Sequence, residues 1–194
     1  MAASSRNPGG FGFTIRAAAV EDLAAITAIY GHHVLAGVAT FELEPPSVAE
    51  MTERYDKTRS FNMPYLVAVG RSVPDAPEEV AGYAYAGKYH QRIAYENTVE
   101  DSIFLSPKFT GRGLGPLLLT ALIDECTSLG YRQMMSLIAE PAGAGAASAH
   151  IHKKMGFRTV GTLDKVGWKM NRWLDVGLFQ RPLGPGSITP PHTA

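Results

Sequence analysis

The chain has 194 residues, 45% apolar and 19% charged, which suits one soluble domain with a substantial core. Its 18 Lys+Arg balance 18 Asp+Glu, so no basic excess points to nucleic acid or an anionic membrane. The single Cys126 excludes an internal disulfide and a multi-cysteine metal site, no apolar run is long enough to cross a bilayer, and MAASSRNPGG holds no secretory signal, so a reduced, cytoplasmic setting is expected.

Residues 1–10 are small and polar with Gly and Pro, and read as a disordered N-terminus. FTIRAA (13–18) reads as a first strand, followed by Leu23, Ile26, Ile29 and Tyr30 at helical spacing. A loop covers 37–46. Ser47 and Glu50 then form a capping-box pair for a helix with Val48, Met51 and Tyr55 on one face. YLVAV (65–69) and VAGYAYAG (80–87) read as hairpin strands around a polar, proline-containing turn. A polar loop (87–95) leads to a long strand, NTVEDSIFL (97–105). After a glycine turn, Leu114, Leu117, Leu118, Ala121, Leu122, Cys126 and Leu129 mark the buried stripe of a helix stopped by Gly130. MMSLIA (134–139) is a short buried strand, and a small-residue stretch enters a helix ending at Met155. RTVGTL, VGWKM and VGLFQ read as closing strands, and residues 184–194 as a flexible Pro/Gly-rich tail. The pattern is α+β: a mixed, mostly antiparallel twisted sheet flanked by helices, in one domain over 11–183.

The turn at Gly111, Gly113 and Gly115 carries the chemistry. It follows a strand and opens a helix whose first N–H groups lack internal partners and lie at the positive end of the dipole, a seat for phosphate. A dinucleotide-type G-x-G-x-x-G would need glycine at 116 or 118, where Pro116 and Leu118 stand, and no P-loop Gly-Lys-Ser/Thr is present. A phosphorylated cofactor of another kind is expected.

The ordered set ATFELEPPS (39–47), VAGYAYAGKYHQRIAYENTVEDSIFLSP (80–107), GRGLG (111–115), IHKKMGF (151–157) and VGWKMNRWLDVGLFQRPLG (166–184) resembles the GNAT acetyltransferases. Within them it is similar to the phosphinothricin and methionine sulfoximine or sulfone N-acetyltransferases. The resemblance implies a GNAT fold, acetyl-CoA as donor, no metal, a homodimer, and acetylation of the α-amine of a small amino acid or analogue. It places the pyrophosphate on Thr110, Gly111, Arg112, Gly113, Leu114 and Gly115, the pantetheine arm near Gly145, further cofactor contacts at Phe104 and Ser148, and the donor to the developing alkoxide at a backbone N–H near Leu105. It also implies Glu100 as the base, His152 as a second catalytic residue, and Phe41, Glu42, Arg92 and Tyr95 as acceptor contacts. These roles suit the chemistry. A largely protonated α-amine needs a base before it can attack a thioester, and an arginine fork matches a carboxylate. On a period-two strand Glu100 shares a face with Ser102 and Phe104, and Asp101 takes the other face. Two positions depart from the pattern: Thr110 replaces the usual Arg or Gln, and Gly145 replaces an Asn, with a looser helix start expected there. Action on protein N-termini or lysines, and a non-enzymatic CoA sensor, stay open as alternatives.

Overall fold

The computed structural model describes residues 3–6, 12–73 and 75–191, the first four as backbone only. Among the described residues eight strands form one sheet: β1 (Ala3–Arg6), β2 (Gly12–Ala17), β3 (Tyr65–Gly70), β4 (Glu79–Lys88), β5 (Thr98–Leu105), β6 (Gln133–Ala139), β7 (Arg158–Lys169) and β8 (Arg172–Pro182). Their spatial order is β1-β2-β3-β4-β5-β6-β8-β7. Every neighbouring pair is antiparallel except β5–β6. Among the described residues the α-helices are α1 (Leu23–Ala36), α2 (Val48–Ser60), α3 (Leu114–Ser128) and α4 (Ala146–Lys154).

The helices cover both faces of the sheet. One core packs Leu114, Leu118, Leu119, Leu122 and Cys126 of α3 against Phe13, Leu66, Ala84 and Val99. The other packs Ile26, Tyr30 and Val34 of α1 and Met51 and Tyr55 of α2 against Tyr65, Val67, Tyr83 and Phe104. The capping box forms as expected: the Ser47 N–H donates to Glu50 Oε2 at 2.7 Å, and the Glu50 N–H to Ser47 Oγ at 3.2 Å.

Several expectations are corrected. Residues 3–6, within the stretch read as disordered, pair with β2. Edge pairing uses backbone groups alone, so it leaves little trace in composition; the rest of 1–10 lies outside the described residues. The helical stripe of α3 takes in Leu119 and Ile123 and leaves Leu129 42% exposed, because the helix ends at Ser128. The three closing segments are two long strands, β7 and β8, turned through Met170 and Asn171 at φ 52° and 57°. The C-terminal stretch is held rather than loose through residue 190. Buried Arg132 donates to the carbonyls of Gly186 (2.7 Å), Thr189 (2.5 Å) and Pro190 (3.3 Å). A guanidinium can satisfy several carbonyls at once, which a composition-based reading of Pro and Gly does not see. Residues 192–194 lie outside the described residues.

The feature that positions the site is a split. β5 and β6 pair only at Thr98–Gln133, Val99–Met134 and Glu100–Met135. Beyond Glu100, β5 keeps only β4 and β6 keeps only β8. The facing edges of Asp101–Leu105 and Ser136–Ala139 therefore carry backbone groups with no ladder partner, which need an occupant able to hydrogen-bond.

Candidate active site

A cavity of about 430 Å³ opens where β5 and β6 separate. Glu100, Ser102 and Phe104 line it from β5, Ser136 to Ala139 from β6, and Gly145, Ser148 and His152 from α4; Tyr30, His33 and residues 37–40 close it from the α1 side.

Glu100 is half-buried, and its carboxylate makes no hydrogen bond among the described residues. Burial pushes its pKa up to about 7, with the neighbouring Asp101 charge adding to the rise. A carboxylate poised there exchanges protons readily near neutrality. The strand alternation holds: Asp101, one residue on, faces α3 and α4 and is 6% exposed.

Asp101 Oδ2 lies 2.8 Å from His152 Nε2, and the other ring nitrogen, Nδ1, lies 2.7 Å from the Ser148 carbonyl. A carbonyl only accepts, so Nδ1 carries a hydrogen. Nε2 faces a carboxylate, so one further proton is shared between ring and acid. Burial opposes charge on His152, but the Asp101 hydrogen bond and charge and the Ser148 carbonyl outweigh it and raise the pKa. Neither ring nitrogen is left to take a proton from an acceptor. Asp101 Oδ1 is buried with no hydrogen-bond partner among the described residues.

Other expected residues separate into those at the cavity and those away from it. Phe104, Gly145 and Ser148 line it; Leu105 stands on the splayed edge just beyond. Thr110, Gly111, Arg112 and Gly113 form the exposed or half-buried turn into α3, and Leu114 and Gly115 its buried first residues. Gly113 is the N-cap at φ 74° with no side-chain cap bond, so the helix start stays open to an anion. The Arg112 guanidinium donates to the Ser72 carbonyl at 2.7 Å. Gly145 is not loose: a Cβ there would sit 2.1 Å from the Ala139 carbonyl oxygen, so the chain has closed over the space an Asn side chain would need.

The expected acceptor contacts fare differently. Arg92 and Tyr95 are exposed and line neither this cavity nor its neighbour. Phe41 packs on Gly167, and Glu42 accepts from the Tyr30 hydroxyl at 2.8 Å and from Arg54 at 2.7 Å. Residues next to them, Ala39 and Thr40, line the cavity instead. Buried Lys169 holds that loop by donating to the Thr40 carbonyl at 2.7 Å.

Sequence reasoning missed His33. Its Nε2 lies 2.8 Å from the Leu105 carbonyl, so Nε2 carries the hydrogen. Burial lowers its pKa against the pull of that carbonyl, which keeps the ring neutral at the cavity wall. The available signal was a pair of histidines on α1, where Val34 and Tyr30 already mark the buried face.

Residues 29–157 match the acetyltransferase (GNAT) family. The chain belongs to that family, and it is an N-acetyltransferase with acetyl-CoA as donor. More closely, it is 41% identical to a phosphinothricin N-acetyltransferase of Alcaligenes faecalis, over 92% of this chain and 87% of that protein. It is 34% identical to an L-methionine sulfoximine/L-methionine sulfone acetyltransferase of Pseudomonas aeruginosa, over 91% and 98%. The crystal structure of a GNAT superfamily phosphinothricin acetyltransferase from Sinorhizobium meliloti in complex with acetyl-CoA superposes with a TM-score of 0.86 at 43% identity, covering 94% of each chain.

Proposed function

We propose that this enzyme acetylates the α-amine of a small amino acid or analogue of the phosphinothricin, methionine sulfoximine or methionine sulfone kind, with Glu100 as the base. The observation that carries the reading is an unpartnered carboxylate, tuned to about 7, at the point where β5 and β6 part. The donor fits this chain. The open, glycine-capped start of α3 suits a pyrophosphate, and the unladdered edges of β5 and β6, with Ser148 beside them, suit the amides of a pantetheine arm. Acetyl-CoA supplies the activated acetyl thioester.

Glu100 removes the ammonium proton of the acceptor, directly or through one water. The amine then attacks the thioester carbonyl; the C–N bond forms, the C–S bond breaks, and the second proton that the nitrogen sheds in becoming an amide balances the one taken up by the departing coenzyme A thiolate. No protein nucleophile takes part: Cys126 is buried on α3, and burial raises its thiol to about 12. His152 serves as a positioning residue that ties α4 to β5, since both its nitrogens are engaged. A homodimer accords with the apolar side chains Val166, Trp168, Met170 and Trp173 left more than 45% exposed on the β7–β8 hairpin.

The test is thiol release from acetyl-CoA across phosphinothricin, methionine sulfoximine, methionine sulfone, the common amino acids and lysine-containing peptides. Acceptor-dependent release with the first group supports the reading. Release only with peptides, or none with any acceptor despite calorimetric binding of acetyl-CoA, overturns it.

A further inference from the structure

A second cavity, of about 190 Å³, lies on the same sheet face as Glu100, towards β3 and α2. Tyr30 and Tyr85 line both cavities, so the two share a wall. Its floor is a ladder of stacked rings: Tyr65 and Tyr85 at 5.0 Å between centroids, Tyr65 and Tyr83 at 5.9 Å. Its roof is α2, which contributes Arg54 and Lys57.

Two features distinguish it from a packing defect. Tyr83 is 1% exposed and its hydroxyl has no hydrogen bond among the described residues, yet the oxygen is not sealed in the core: the fully buried side-chain atom left without a partner among those residues is Asp101 Oδ1, and Tyr83 lines the cavity. The two cations differ as well. Arg54 is already matched by Glu42, at 2.7 and 3.2 Å, whereas Lys57 has no ion pair among the described residues. Burial raises the pKa of Tyr30 to about 12 and that of Tyr83 well above its ordinary value, so both phenols stay protonated; Tyr30 donates its hydrogen to Glu42, which leaves the Tyr83 hydroxyl as the free donor. The cavity thus offers the Tyr83 hydroxyl as a donor and one uncommitted positive charge over an aromatic floor.

We propose that this second cavity receives the side-chain terminus of the acceptor amino acid, and that Lys57 and the Tyr83 hydroxyl select termini bearing anionic oxygen, a phosphinate or carboxylate, over neutral ones. The proposal rests on the amino-acid acetyltransferase reading above. Register supports it: Tyr85 pairs with Ser102 and Gly87 with Glu100, so the base and the tyrosine floor stand on adjacent strands. Tyr85, opposite Ser102, is two residues along from Glu100, so the floor begins about 7 Å from the base, a reach comparable to that between the α-amine and terminal heteroatom of a glutamate- or methionine-length acceptor, and Tyr83, opposite Phe104, lies at its far end.

The test compares kcat/KM for phosphinothricin, methionine sulfone and methionine in wild type, Lys57→Glu and Tyr83→Phe. Lys57 is exposed and Tyr83→Phe removes one oxygen, so both variants should fold, and circular dichroism checks this. Expected for Lys57→Glu is a rise in the phosphinothricin KM of roughly fivefold or more relative to methionine sulfone, the scale of one exposed charge contact, with the KM for acetyl-CoA unchanged. Tyr83→Phe should weaken phosphinothricin and methionine sulfone more than methionine. Equal changes for all acceptors, or none, overturn the subsite while leaving the acetyltransferase reading intact. Absence of wild-type turnover with every amino acid overturns both.

Discussion

Replacing Glu100 by Gln should nearly abolish turnover and, at the same time, stabilise the protein above neutral pH. The pKa of this carboxyl rises from an ordinary 4.5 to about 7, first through burial and then through Asp101. The folded protein therefore binds a proton more tightly than the unfolded chain between those values. Stability from this group is fully present below 4.5 and declines as pH rises, until the folded carboxyl has ionised above about 7. The full penalty is on the order of 3 kcal/mol, from about 2.5 units at 1.36 kcal/mol each. Gln recovers only part of this, because its amide also needs partners at a site where Glu100 has none, so a gain of about 1–2 kcal/mol at pH 8.5 is expected, shrinking towards zero near pH 4.5. Urea denaturation at the two pH values measures it. In the same preparations kcat should fall by roughly 10²–10⁴, the usual contribution of a positioned base, with the affinity for acetyl-CoA preserved. In the wild type, kcat/KM should rise tenfold per pH unit below about 7 and level off above it. A Glu100→Gln enzyme retaining half its activity, or a flat wild-type profile between pH 5.5 and 8, would refute the assignment of this carboxylate as the base.

Asp101→Asn should destabilise by about 3 kcal/mol, because the buried His152 loses its charge partner; the raised His152 pKa means its share is greatest below pH 6.5 and fades as pH climbs through the folded value, so denaturation at pH 5.5 and 8.5 should differ. Gly145→Asn, which restores the residue usual in similar enzymes, should cost at least about 1–3 kcal/mol rather than improve function, since its Cβ meets the Ala139 carbonyl; a tighter KM for acetyl-CoA with unchanged melting would contradict this. Sedimentation should show a homodimer, and Trp168→Glu, at an exposed ring on the β7–β8 hairpin, should shift it towards monomer without unfolding.

Much of this protein is written in local patterns. The glycine turn into α3, the capping box at Ser47 and Glu50, and the strand alternation that puts Glu100 and Asp101 on opposite faces each depend on residues a few positions apart, so periodicity and capping chemistry suffice to read them. The site's finer arrangement depends on residues far apart in the chain. His152 meets Asp101 across 51 positions, a contact that with the Ser148 carbonyl engages both ring nitrogens of a residue the sequence offers as a proton carrier. His33 reaches the Leu105 carbonyl across 72 positions, and Arg132 clamps the C-terminal stretch from 54 or more away. Gly145 read as a lost side chain; tertiary packing shows a backbone approach with no room for one. Nor does any local pattern reveal how far two parallel strands stay paired before they separate. The sequence by itself determined which residues could bind a phosphate or accept a proton. Only the tertiary structure decided which of them meet, because burial, and with it the pKa of Glu100 and the charge on His152, belongs to the packed assembly rather than to any one strand or helix.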